Sequence, residues 1–278
     1  MNILYCGDSN IQDGLTTSVL SLIKNVASHL NIYVLTAQIT YRKKHYLPID
    51  DQTIALLDQQ VKKKNPQNKV IKVDLTYLFN REKPTVNMAT VFTPYCMLRL
   101  YADEVSQIPG RILYLDTDVM CCQDFSDYYY QNLDNVEIVG TLDHYGKWWF
   151  HHQAQMFDYL NSGVLLLNLE LIRKTGLFAK CRKLCRNHWM FMPDQTALNK
   201  LCHTKRIVGD QFNEQHQTTS ETVFRHFSTS LHLWPIFHIQ KVKPWQVNRM
   251  HNQLKEHQFD DVLEQYQILK KSKGTSIK

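Results

Sequence analysis

The sequence predicts an α/β fold built on a mostly parallel central sheet, and three features point to it: a strand–helix–strand opening, continued alternation of the two element types, and a compact apolar strand that stops abruptly at an aspartate. Ile3-Leu4-Tyr5-Cys6 is a short apolar run ending at Gly7-Asp8. Leu15, Val19, Leu22, Ile23 and Val26 then recur at helical spacing before the apolar run Ile32-Tyr33-Val34-Leu35. Such a unit lays its two strands side by side in parallel. The pattern continues with a polar helix over 51–64, a strand over 70–73, a helix through Tyr95, Leu98 and Leu100, and the strand Ile112-Leu113-Tyr114-Leu115, which ends at Asp116. Strands are expected over 137–142 and 163–167, and helices over 170–187 and 194–202. After Trp245 the character changes. Residues 259–271 predict a single helix with charged faces, so the chain divides into one domain, 1–249, and a short C-terminal helical and basic appendage, 250–278.

Composition narrows the class. A chain of 278 residues with 44% hydrophobic residues can bury a sizeable core. The net charge of +6 suits an anionic ligand, an acidic membrane surface or nucleic acid, but with no Arg-rich block and no nucleic-acid module, nucleic acid is not expected as a partner. Met1-Asn2-Ile3-Leu4-Tyr5 leads straight into a strand with no basic n-region, which is not a secretory signal. No apolar run approaches the roughly 20 residues that span a bilayer, so membrane contact is expected to be peripheral. The seven cysteines are odd in number and Cys121 and Cys122 are adjacent, which suits a reducing, cytoplasmic compartment. Cys181, Cys185, His188, Cys202 and His203 raise a zinc site, but the paired short knuckles are missing and buried thiols are the expectation.

The chemistry centres on Leu113-Tyr114-Leu115-Asp116-Thr117-Asp118-Val119. Two carboxylates two residues apart on extended backbone point to the same side and can share a cation, which would grip a diphosphate. An Asp-x-Asp triplet alone is commonly a solvated turn. Its place beyond the carboxyl end of a buried strand, where ligands of open α/β sheets sit, favours a site. Asp8 lies at the equivalent end of the first strand.

Four further segments occur in order: Cys6-Gly7-Asp8-Ser9-Asn10, Tyr159-Leu160-Asn161-Ser162-Gly163-Val164, Pro193-Asp194-Gln195-Thr196-Ala197-Leu198-Asn199, and Phe237-His238-Ile239-Gln240-Lys241-Val242-Lys243-Pro244-Trp245. Together with the Asp-x-Asp segment they resemble glycosyltransferase family 8, over about residues 1 to 245. The resemblance implies a GT-A-like, Rossmann-like nucleotide-sugar-binding domain. It also implies a UDP-sugar donor, UDP-glucose or UDP-galactose, and an oligosaccharide, glycolipid or glycoprotein acceptor. Laid onto matching positions, it makes Asp8 and Asn10 uridine and ribose contacts, and sets Arg99 over the donor. Asp116, Asp118 and His238 become manganese ligands, with Thr117 beside the donor. Asp143, Asn161, Asp194 and Gln195 surround the donor sugar, and Lys243 meets the diphosphate.

The residue chemistry agrees with these roles. Two carboxylates and one imidazole make an oxygen-rich site that suits manganese, with magnesium as the alternative, better than zinc or calcium. Such an ion acts as a Lewis acid toward a departing diphosphate, and Lys243 and Arg99 add positive charge there. Retention by double displacement needs a carboxylate nucleophile behind the anomeric carbon. The family position there is Gln195, a poor nucleophile, which favours a front-face reaction with Gln195 as electrostatic support. Asp194 stands as the alternative nucleophile and also has a helix N-cap reading.

The last motif lacks the family's usual glycine between His238 and Lys243 and is one residue short, so Lys241 is an alternative to Lys243. The aromatic run 144–152, with Trp148 and Trp149, is either an acceptor platform or core. Lys270, Lys271 and Lys273 are either a solvated tail or a contact with the inner face of an anionic membrane. Two rivals are weighed. Nucleotidylyl transfer would want a glycine-rich loop after the first strand, and residues 6–14 hold only Gly7 and Gly14. A catalytically impaired nucleotide-sugar or carbohydrate-binding protein of the same fold is opposed by the intact Asp116, Asp118, His238 and Gln195 and supported only by the shortened last motif.

Overall fold

The computed structural model describes residues 1–90, 93–143, 158–228, 230–232, 238–240 and 242–275, giving backbone alone at 230–232, 238–240 and 273–275. In chain order the strands are β1 (Asn2–Cys6), β2 (Asn31–Thr36), β3 (Ile39–Tyr41), β4 (Lys44–Tyr46), β5 (Lys69–Asp74), β6 (Arg111–Leu115) and β7 (Val119–Cys121). They continue with β8 (Ile138–Leu142), β9 (Leu160–Asn168), β10 (Lys205–Ile207), β11 (Phe224–His226), β12 (Ser230–His232) and β13 (His238–Gln240). Seven of them form the central sheet in the order β10-β8-β9-β6-β1-β2-β5.

The opening unit is as expected. β1 pairs in parallel with β2 and with β6, and β2 with β5, the first crossover running through the helix Gln12–Asn25. β9 runs antiparallel to both β6 and β8, so six strands point one way and β9 alone returns. The central strands read as unbroken apolar runs because both faces of the sheet are covered. Successive side chains alternate between two cores. Ile3, Tyr5, Leu113 and Leu115 join the side of the helix Gln12–Asn25, while Leu4, Ile112 and Tyr114 join the side of Tyr101 and Phe178.

Three elements differ from expectation for local reasons. The helix expected over 170–187 is two, Leu169–Thr175 and Leu177–Asn187, because Gly176 takes φ 68° and its N–H caps Ile172 O. The helix expected through Tyr95 is a run of 3₁₀ turns, Pro94–Glu104, which brings Arg99 inward with 3% exposure. The strand expected at 163–167 is longer and antiparallel. Its register against β8 jumps, with Gly140 opposite Leu165 but Leu142 opposite Leu160. That irregularity takes residues 161–164 out of regular pairing with β8 and re-aims their backbone groups.

The C-terminal helix Asp260–Thr275 lies against the helix Gln12–Asn25. Phe259, Val262, Leu263, Tyr266 and Leu269 are buried in the same core as Val19, Leu22 and Ile23. Lys24–Asp261 (2.7 Å) and Lys270–Asp13 (2.8 Å) flank the contact, so the Lys270 ammonium is turned onto the protein, where it also meets Tyr266 Oη. Farther in, the buried pair Arg225–Glu256 (3.3 Å) ties the segment before this helix to β11. Leu263→Ala is expected to cost about 2–5 kcal/mol in urea unfolding. Lys24→Met, which removes an ion pair of side chains 42% and 60% exposed, should cost less than about 1 kcal/mol.

Candidate active site

The carboxyl ends of β1 and β6 meet at one edge of the sheet, and the acids gather there. Asp116 follows β6 directly, and its N–H bonds Gly163 O at 2.8 Å. Val119 N bonds back to Asp116 O, making a tight turn that leads into β7. β11 pairs antiparallel with β7, His226 opposite Val119, and Phe227 N bonds Asp118 O. This pairing carries the His226 ring to the two carboxylates: Nε2 lies 3.4 Å from Asp118 Oδ1 and 3.8 Å from Asp116 Oδ2. Ligand-capable atoms of Asp116, Asp118 and His226 all fall within 4.8 Å of one another. The His226 ring rests on Gly163, where a Cβ would stand 2.2 Å from its Cε1.

His226 is the residue that sequence reasoning missed. The imidazole was expected from His238, which the structure places on β13, its side chain lying outside the described residues. Nothing local marks His226; only the pairing of β11 with β7, across more than a hundred residues, shows it.

Arg99 is brought to the same place as the acids. Its guanidinium donates to Asp116 Oδ1 (3.0 Å), Cys96 O (3.0 Å) and Ser162 O, pairs with Asp194 Oδ2 (3.2 Å), and stacks 3.8 Å over the Tyr114 ring. Lys243 reaches the same group, bonding Asp118 Oδ2 and Phe227 O (2.9 Å). Burial alone would raise the Asp118 pKa, but Lys243 and His226 outweigh it and hold the carboxyl well below the usual range. Asp194 goes the other way: burial pushes it up, and Arg99 only partly offsets this. Burial also pushes up the Cys6 and Cys96 thiols beside it, which keeps them neutral.

The expected sugar-site residues form one buried set. Gln195 Oε1 accepts from Ser162 N and Oγ, each at 3.0 Å, and its Nε2 donates to Asp143 Oδ2 at 3.1 Å. Asn161 Nδ2 donates to the same Asp143 oxygen at 2.8 Å and to Gln215 Oε1 at 3.3 Å. The N-cap reading of Asp194 is corrected: the helix is Pro193–Leu201, its N-cap position is Met192, and Asp194 sits inside the first turn facing Arg99. At the end of β1, Asp8 is buried and accepts from Asn10 N (3.0 Å) and Nδ2 (3.1 Å), which holds this pair together. Thr117 sits between the two acids, its carbonyl 2.7 Å from where a Cβ on Gly14 would stand, so that glycine allows the first helix to approach the loop.

Lys241, Trp148, Trp149 and the rest of 144–152 lie outside the described residues. Cys181, Cys185 and Cys202 are buried, and burial pushes the thiols of Cys185 and Cys202 up to about 12. No helix among the described residues is long and apolar enough to cross a membrane.

The structure is similar to that of the galactosyltransferase LgtC in complex with donor and acceptor sugar analogs, at TM-score 0.67 and 15% identity, covering 95% of this chain and 96% of that one. It is also similar to the glycosyltransferase GlyE of Streptococcus pneumoniae, at TM-score 0.63 and 17% identity, covering 95% and 62%. Both likenesses place the fold in the GT-A class. In sequence the chain is 25% identical over 210 residues to the lipopolysaccharide 1,2-glucosyltransferase of Escherichia coli, covering 72% of this chain and 58% of that protein. A Haemophilus influenzae relative, 22% identical over 227 residues, is covered to 63%, so the chain spans less than two thirds of the length of these curated relatives. The profile of glycosyl transferase family 8 matches residues 2–249, and the chain belongs to that family.

Proposed function

We propose that the protein is a retaining, metal-dependent hexosyltransferase that moves glucose or galactose from a UDP-sugar to a hydroxyl of a glycan or glycoconjugate, forming an α-linkage. The observation that carries this reading is the convergence of Asp116, Asp118 and His226 beyond the carboxyl ends of parallel strands, beside an amide, Gln195, rather than a free acid. The donor set fits a divalent cation of the manganese or magnesium kind: two carboxylates, one imidazole and a pocket already holding the Lys243 ammonium against Asp118. Asp116, Asp118 and His226 would hold the ion, and His238, on the strand that leads back toward Lys243, is proposed as a further donor. When bound, the ion supplies positive charge to a departing diphosphate.

The remaining steps belong to the chain's own groups. Asp8 and Asn10, at the end of β1, are placed to bind the nucleoside. The Lys243 ammonium, held at Asp118 and Phe227 O, would supply positive charge to phosphate oxygens. Arg99 holds Asp116 and Asp194 in place.

If the reaction retains configuration, the sugar wall favours a front-face route over double displacement. Asp194 is ion-paired to Arg99, Asp143 accepts from two amides, and the Gln195 oxygen is taken by two donors, so the wall offers fixed dipoles to an oxocarbenium-like transition state and no ready nucleophile. A front-face attack, with the acceptor hydroxyl deprotonated by the donor's own phosphate oxygen, suits that arrangement. The E. coli relative is named as a glucosyltransferase and LgtC as a galactosyltransferase, and both hexoses stay in the proposal.

The deciding assay is UDP release from a panel of UDP-sugars with and without manganese. One donor should be turned over only with metal, and Asp118→Asn should abolish that turnover. UDP binding without turnover of any donor would instead favour a sugar-nucleotide-binding protein. Gly163→Ala should displace the His226 ring, and His226→Ala should remove it. Each is expected to weaken manganese binding by more than the roughly 10–100-fold typical of an outer partner, read by electron paramagnetic resonance of free Mn²⁺.

A further inference from the structure

The register jump in β9 leaves the N–H groups of Ser162 and Gly163 without strand partners, and each is taken by a side chain. A backbone N–H can only donate, so the Asn161 atom facing Gly163 N at 2.9 Å is its oxygen. Asn213 bonds that same oxygen at 3.0 Å and must present its NH₂ to it. The Asn213 oxygen is then the atom left facing Nδ1 of His226, also at 3.0 Å. Nδ1 must therefore carry a proton, and Nε2, which faces Asp116 and Asp118, is the nitrogen left to take a cation. Every polar assignment in this run is forced by one main-chain amide. Asn213 is fully buried and His226 is 4% exposed, so water does not compete for these bonds.

We propose that Asn213 is the positioning residue of the cation site: it fixes His226 as the Nδ1–H tautomer, the form a free neutral histidine disfavours, and so aims the Nε2 lone pair at the carboxylates. This rests on the metal reading given above. The same relay runs to the sugar wall. Asn161 uses its NH₂ on Asp143, whose oxygen also receives Gln195, and Gln195 is set by the neighbouring amide of Ser162. Asn213 thus stands between the imidazole that faces the cation site and the amide that faces the sugar, with Gln215 holding the second hydrogen of the Asn161 NH₂. Outer partners of this kind set both the tautomer and the orientation of a ligating imidazole.

The test begins on metal-free protein labelled with ¹⁵N-histidine, at a pH where the ring is neutral, with the His226 signals assigned by their loss in His226→Ala. A protonated-type shift at Nδ1 and a lone-pair-type shift at Nε2 are expected. The Nε2–H form, or an exchange average of the two, overturns the proposal. Asn213→Leu removes the acceptor while keeping the branching of the side chain, and should shift the ring toward the other tautomer and lower Mn²⁺ affinity roughly 10–100-fold. Asn213→Asp, which keeps an oxygen opposite Nδ1, should restore most of the affinity. Unchanged Mn²⁺ affinity in a folded Asn213→Leu protein counts against the proposal; if that variant does not fold, the wild-type nitrogen shifts decide alone. A wild-type protein with the Nδ1–H tautomer that binds no Mn²⁺ overturns the metal reading and leaves the relay standing.

Discussion

Carboxylates crowded at the mouth of one sheet repel one another, and the architecture around the site is arranged to hold them. Asp8, Asp143 and Asp194 are nearly inaccessible, and Asp116 and Asp118 are only partly exposed. An unpaired buried charge costs several kcal/mol, so each acid needs a cation or a set of donors within reach. Arg99 answers for Asp116 and Asp194, Lys243 for Asp118, two amides for Asp143, and the Asn10 donors for Asp8. Opposing effects split the acids by role: Asp118 stays ionised, while burial lifts Asp194 despite Arg99.

Those compensating groups come from distant parts of the chain, which explains why the fold needs its later elements. Arg99 arrives on a run of 3₁₀ turns whose tighter winding turns it inward. His226 arrives on a short strand held by β7 on one side and by the segment around Glu214 on the other. The Arg225 guanidinium beside it is anchored by Glu256, next to the C-terminal helix that packs into the core under β1. Residues far from the sugar wall thus hold the strand that presents the imidazole. The return strand β9 contributes differently, because its irregular stretch offers main-chain N–H groups that no side-chain rotation can reverse.

Much of this was legible along the chain. The βαβ opening, the strand ending at Asp116, the polar helix Asp51–Lys64 and the helix Pro193–Leu201 follow from apolar periodicity, which is local. The grouping of Asp8, Asn161, Asp194 and Gln195 with the Asp-x-Asp pair was implied by the family resemblance of the ordered motifs, and only Asp8 and Asp116 were placed at strand ends by pattern. What local pattern could not give was pairing. Gly176 split a helix because one residue took a left-handed conformation, and β9 reversed direction with a register jump that no hydrophobic pattern encodes.

The sequence by itself determined the alternation of strands and helices and the apolar runs of the central sheet, since these depend on which residues are apolar and how often they recur, while the set of acids was implied by the family resemblance of its ordered motifs. Only the tertiary structure decided which cations answer those acids. The places of Arg99 between Asp116 and Asp194, of Lys243 and His226 at Asp118, and of Asn213 behind that imidazole all depend on contacts between segments distant in the chain. Their side-chain types occur throughout the sequence, and it is tertiary packing, not neighbouring residues, that selects the few whose nitrogen atoms stand within 4 Å of these carboxylates.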